Sequence, residues 1–138
     1  MAIITGQTLI SKLNIWKKKH DFGADAFKIA LYTSLATLDS STTVYSTTNE
    51  VSGTGYTAGG VALTNVAPVT SNGGTVITWA DVTFSTVTLT DIRGALIYNT
   101  TFGNEAVYVW DFGGSIARTA ANLVLRFPQT YPGVIAHV

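Results

Sequence analysis

The chain has no cysteine, three prolines and one methionine among 138 residues, and only 12% of it is charged. Without cysteine there are no disulfides and no thiolate metal ligands, and nothing points to an oxidising compartment. The charged fraction is about half the usual quarter of a soluble domain. Eight basic and eight acidic residues cancel, so no global field draws in nucleic acid. No stretch approaches the roughly 18 unbroken apolar residues of a membrane helix. The first residues, Met1 to Gly6, lack a charged segment followed by an apolar one, so they do not read as a secretory signal. The expectation is a protein made and kept in a soluble, reducing place, released by lysis if at all.

What is present is 46% hydrophobic and 11% aromatic residues, enough for one real core. A domain of roughly 150 residues buries about 70% of the surface its unfolded chain exposes. No Pro-rich or Ser-rich linker divides the chain, so residues 1–138 read as one domain, with 1–24 as an N-terminal helix or arm and 129–138 as a loose tail. Low charge with abundant Thr and Gly suits close contact with neighbours. A neutral extracellular β-sandwich has the same composition.

Residues 7–20 hold the one helical period. Leu9, Leu13, Trp16 and His20 recur at i, i+4, i+7 and i+11, with Thr5 as N-cap and lysines in the last turn, where cations favour the helix dipole. Gly23 breaks the pattern. From Asp25 on the period is two. Phe27, Ile29 and Leu31 share one face, and Lys28, Ala30 and Tyr32 the other, as in a half-buried strand. Further β-rich runs lie at 42–47, 61–66, 75–79, 82–89, 92–98, 105–112 and 121–127. Val82 and Phe84 are out of phase with Val87 and Leu89, which calls for a bulge near Ser85-Thr86. Ala106, Tyr108, Trp110 and Phe112 form the strongest apolar face. Asn72-Gly73-Gly74, Gly103-Asn104 and Gly113-Gly114 supply turns. About eight short antiparallel strands mean an all-β sandwich, jelly roll or small barrel, and a jelly-roll-like β-sandwich is the expected form.

Chemistry finds little support. A nucleophile needs a base beside it, and the histidines are His20, beside lysines, and the penultimate His137. The carboxylates are scattered without metal-ligand spacing. Trp16, Trp79 and Trp110 are candidates for stacking on sugars, but Trp79 and Trp110 fall in apolar strand faces where core packing is the default. The glycine-dense run from Val51 to Gly60 is neither a dinucleotide fingerprint nor a P-loop. It reads as a shaped loop that needs positive φ or close backbone approach. Asn99-Thr100-Thr101 matches a glycosylation sequon by form, for which threonine abundance is the simpler account. No catalytic, metal-binding or cofactor-binding residue is assigned, and no cofactor is expected.

The run Lys19-His20-Asp21-Phe22, then Asp25 to Thr33, then Glu50-Val51-Ser52-Gly53-Thr54-Gly55-Tyr56-Thr57-Ala58-Gly59-Gly60, resembles a family of small tailed-bacteriophage virion proteins. Ile92 to Asn99 and the strand ending at Phe127-Pro128 match as well, so the resemblance spans roughly residues 16 to 128. Within that class the chain is most similar to the capsid cement (decoration) proteins of short-tailed phages. The resemblance implies a non-enzymatic component made in the bacterial host cytoplasm and placed on the capsid surface of the virion. Its partners would be the major capsid protein and itself, as a dimer or trimer. On this reading the contact residues are Trp16, Lys17, Lys18 and Lys19 in the arm, and Thr54, Gly55, Tyr56 and Thr57 in the loop. The plainer alternatives are a helix packed on its own body and a loop that closes its own fold. A neck, tail or fibre-attachment protein and a displayed carbohydrate-binding module remain as other functions.

Overall fold

The computed structural model describes residues 2–71, 73–128 and 135–137. Among the described residues the protein is mostly β, with one short helix. In chain order these are β1 (Gly6–Gln7), α1 (Leu9–Trp16), β2 (Phe27–Tyr32), β3 (Val61–Ala62), β4 (Asn65–Ser71), β5 (Gly74–Trp79), β6 (Val82–Asn99), β7 (Glu105–Leu125) and β8 (Ile135–His137). They form a five-stranded sheet ordered β1-β7-β6-β2-β3 and a three-stranded sheet ordered β4-β5-β8. Every pairing between these strands is antiparallel.

The long β6–β7 hairpin dominates. Two expected pairs of short strands, 82–89 with 92–98 and 105–112 with 121–127, are in fact two continuous strands that bend without breaking. The turn at 100–104 is made as expected, with Gly103 and Asn104 both at positive φ. Gly113-Gly114 does not end a strand. Gly113 sits at φ 83 inside β7, where the register slips between the Ile92–Ile116 and Gly94–Asp111 pairs, so the glycines shape a bulge. The bulge expected near Ser85-Thr86 is present. Thr86 lies at φ 50, the register shifts between Phe84 and Val87, and Phe84, Val87 and Leu89 all reach the core.

The alternation of β2 is observed, but both of its faces are buried. Phe27, Ile29 and Leu31 enter the main core with Trp79, Ile92, Ile97 and Leu123. Ala30 and Tyr32 enter a second cluster with Ile3, Leu38, Leu96 and Val109, covered by the segment at 33–50. That segment contains the expected strand 42–47, which is instead a loop touching β7 through a single bridge, Val44 to Glu105.

The strand expected at 61–66 is split between β3 and β4. Pro68 in β4 falls where the register shifts between Val66 and Val69, since proline cannot donate to a ladder. The tail expected to be loose contributes β8, whose residues 135–137 pair with β5. Of the turn expected at Asn72-Gly73-Gly74, Asn72 lies outside the described residues, as do 129–134 and 138. Gly73 has φ 79.

A bulge near Val107 sets the position of the helix. Ile97 pairs with Tyr108 but Tyr98 pairs with Ala106, so Val107 and Tyr108 both face the main core while Ala106 falls on the other side. The apolar face expected from Ala106, Tyr108, Trp110 and Phe112 therefore loses its first member and gains Val107. Beside this bulge the carbonyls of Ala106 and Val107 receive Thr8 and Ser11 from the start of α1.

Candidate interaction surface

Helix α1 is short and lies with its polar side inward. Thr8, and not the expected Thr5, is the N-cap. Its Oγ1 accepts from Ser11 N at 3.3 Å and donates to Ala106 O at 2.8 Å. Ser11 Oγ donates to Val107 O at 3.1 Å, and the Asn14 amide donates to Glu105 Oε1. Buried polar groups must be hydrogen-bonded, and here Thr8, Ser11 and Asn14 complete β7 at its bulge. Rotating the helix to bury leucines would leave those β7 acceptors without these donors.

The apolar stripe consequently points to solvent. Leu9 is 58% exposed, Leu13 48% and Trp16 82%. The sequence period grouped these three with His20, but the helix ends at Trp16 and His20 turns into the protein. The lysines follow the last turn rather than occupying it. Lys17 is the C-cap and Lys18 takes φ 58, and Lys12, Lys17, Lys18 and Lys19 are all exposed. The Lys19 ammonium sits 5.1 Å from the centre of the Phe102 ring, at the turn of the β6–β7 hairpin.

Beneath the helix end lies a buried polar cluster that sequence reasoning did not assemble. Asn99 Nδ2 donates to Asp25 Oδ2 at 2.8 Å and approaches His20 Nδ1 at 2.9 Å, while Asn99 Oδ1 accepts from Phe102 N. The His20 Nδ1 therefore accepts, and its Nε2 carries the proton towards Glu105 Oε2 at 3.5 Å, beyond good hydrogen-bond range. Burial holds the His20 pKa below its ordinary value, against the opposing pull of Glu105 and Asp25, and Lys19 adds to the lowering. Asn99 is fully buried, so the sequon it begins is not presented for glycosylation. An open cleft of about 480 Å³ beside the cluster is lined by Ile15, Lys18, His20, Phe22, Pro68 and Ile77.

The second predicted contact segment is tied to the body of the protein. Thr54 O accepts from Thr88 N at 2.9 Å. Gly55 has φ 83, and a Cβ there would stand 2.6 Å from Thr86 O. The Tyr56 ring stacks on Phe84 with centroids 5.9 Å apart, and its hydroxyl accepts from Leu31 N at 3.0 Å and donates to Glu50 Oε2 at 2.6 Å. Glu50 also accepts from Tyr45 Oη at 2.7 Å and Gly59 N at 2.8 Å. Burial, and then the bond to Glu50, raises the pKa of both Tyr45 and Tyr56 above the ordinary phenol value. Thr57 is exposed, but the shaped loop is locked through Tyr56 onto β6 and Glu50. The segment at 16–19 reaches Phe102 at the hairpin turn, whereas the segment at 54–57 reaches Leu31, Glu50, Phe84 and residues 86–88.

Trp79 is wholly buried, with its Nε1 donating to Asn65 Oδ1 at 3.1 Å. Trp110 is half-buried between Phe112 and Phe127. Among the described residues no group of three or more His, Cys, Asp or Glu side chains is placed to hold a metal ion. Among the described residues no helix is long and apolar enough to cross a membrane. Comparison with protein-family models, with curated proteins and with solved structures finds no match to this chain.

Proposed function

We propose that this protein is a structural component of a tailed-bacteriophage particle, a capsid cement protein that binds the outside of the major capsid protein shell and stabilises it. The observation that carries the reading is the inverted helix. Three large apolar side chains stand in solvent while the polar side of the same helix is buried and fully bonded, and such patches on soluble proteins mark interaction sites. The rest of the body suits a passive clamp, with both faces of β2 buried and the loop between β2 and β3 bonded to β2 and β6. We read the two sheets, joined through the main core, as a jelly-roll-like β-sandwich.

A cement protein acts by mass action, binding the assembled shell better than free subunits. Many modest contacts across neighbouring subunits then add to a large resistance to internal pressure. The resemblance of residues 16 to 128 supplies the virion context, and the helix supplies the surface. A carbohydrate-binding module is less well supported, since Trp79 offers no face to a sugar and Trp110 stacks within the protein, which leaves Trp16 alone of the three tryptophans with an open ring.

The test is the number of copies per purified particle relative to the major capsid protein, measured by quantitative mass spectrometry. Hundreds of copies, with shells that break more readily when the protein is missing, are expected. A dozen or fewer would sink the cement reading and place the protein at the neck, tail or fibre attachment.

A further inference from the structure

The exposed helix face has a charge pattern that selects its partner. Leu9, Leu13 and Trp16 lie within one narrow arc of α1, and together they expose on the order of 400 Å², as much as the largest apolar patch on a typical soluble monomer. Lys12 flanks this arc, and Lys17, Lys18 and Lys19 gather at its Trp16 end. None of the three ion pairs among the described residues includes a lysine. The carboxylates next in sequence are already engaged. Asp21 accepts from Gly23 N and Ala24 N, and Asp25 accepts from Asp21 N and Asn99.

The geometry points to a protein partner that seats Trp16 and Leu13 in an apolar groove whose end is rimmed by carboxylates. This rests on the cement reading, in which the groove belongs to the major capsid protein. A second copy of this chain does not fit. An isologous pair with parallel helices would bring the same lysines face to face, which costs affinity. One with antiparallel helices would set them against the Leu9 end of α1, whose first turn has no acidic residue to meet them. An anionic membrane fits less well. Helices that lie in a bilayer surface carry cations along a whole polar face, whereas here three lysines cluster at one end and the opposite face is bonded to β7.

Trp16 is the anchor in this arrangement. Hot spots are enriched in tryptophan, and truncating one costs 2 kcal/mol or more, about a 30-fold loss of affinity. The lysines steer and orient, and they make the contact sensitive to salt.

The experiment measures binding of the full chain to purified shells of the major capsid protein prepared without it. Trp16→Ala is compared with Lys17→Glu combined with Lys18→Glu, at low and at physiological salt. All these side chains are exposed, so the variants should keep the wild-type circular dichroism and unfolding midpoint. Expected are an affinity loss of about 30-fold for Trp16→Ala, a loss of about tenfold for the double lysine variant, and weaker wild-type binding as salt rises. A blue shift of Trp16 fluorescence on binding, absent in Trp16→Phe, would place that ring in the groove.

If wild type and variants bind shells equally, the helix-face inference falls and the cement reading stands. A loss with Trp16→Ala but none with lysine reversal or salt overturns the acidic groove. Failure of the wild-type chain to bind shells sinks the cement reading and this inference with it. Trp16-dependent binding to phosphatidylserine vesicles, or Trp16-dependent self-association in sedimentation, would assign the face to a membrane or a second copy.

Discussion

Glu50 is the residue whose removal most directly tests how the 45–60 segment is held. Its carboxylate accepts from Tyr56 Oη, Gly59 N and Tyr45 Oη at 2.6, 2.8 and 2.7 Å. In Glu50→Ala the Gly59 amide and the Tyr56 hydroxyl lose their acceptor at largely buried positions. A buried group left unsatisfied costs about 1 to 3 kcal/mol. Tyr45, less enclosed, can turn to water, so its share is small. The sum is about 4 kcal/mol. With a urea slope of about 2 kcal/mol/M for a domain of this size, the midpoint should fall by about 2 M with the slope unchanged.

Glu50→Gln separates the hydrogen bonds from the mere presence of a side chain. Its carbonyl oxygen still accepts from Tyr56 and Gly59, and its amide donates to Tyr45 Oη. The loss should then be near 1 to 2 kcal/mol, the difference between charge-assisted and neutral hydrogen bonds. Urea unfolding followed by tryptophan fluorescence reads both variants, and limited proteolysis at 51–60 reports the loop itself. A Glu50→Ala midpoint within about 0.3 M of wild type, or equal losses for the two variants, would refute the reasoning.

Gly60 and Gly73 share φ 79, but a Cβ at Gly60 would lie 1.7 Å from Ile29 O whereas Gly73 faces open space. Gly73→Ala should cost about 1 kcal/mol and Gly60→Ala at least about 3 kcal/mol in thermal or urea unfolding, and equal costs would show that the β2–β3 approach is unimportant. Burial puts the folded-state pKa of His20 below its unfolded value near 6.5. The unfolded chain therefore takes up the proton first, and stability should fall as pH drops from above 6.5 through the folded pKa. His20→Gln should flatten urea midpoints measured across pH 5 to 8, and an unchanged slope would contradict this. Thr8→Ala should lower stability by about 1 to 2 kcal/mol through loss of the cap, visible as helix loss by circular dichroism. Acrylamide quenching should act mainly on Trp16, so Trp16→Phe should remove most of the quenchable emission, and strong quenching in that variant would mean that Trp79 or Trp110 is open to solvent.

The strand class, the alternation of β2, the hairpin turn at Gly103-Asn104 and the bulge beside Thr86 were all legible by reading along the chain. Each follows from local rules, namely period two, positive φ and phase slips between apolar residues. Local rules did not reveal that β6 and β7 bend without ending, because Gly113-Gly114 has the same composition whether it turns a chain or bulges a strand. Nor did they reveal the 42–47 loop or the pairing of 135–137, which depend on what lies alongside.

For the candidate surface, the period of Leu9, Leu13 and Trp16 located the stripe, and the lysine run marked its end. Which way the stripe faced was decided by β7. A bulge near Val107 presents carbonyls that Thr8 and Ser11 complete, and Glu105 engages Asn14. The demand of buried polar groups for partners outweighed the burial of two leucines and a tryptophan. A sequence specifies a helix's two faces by its own period, but the neighbouring strand determines which face is turned inward.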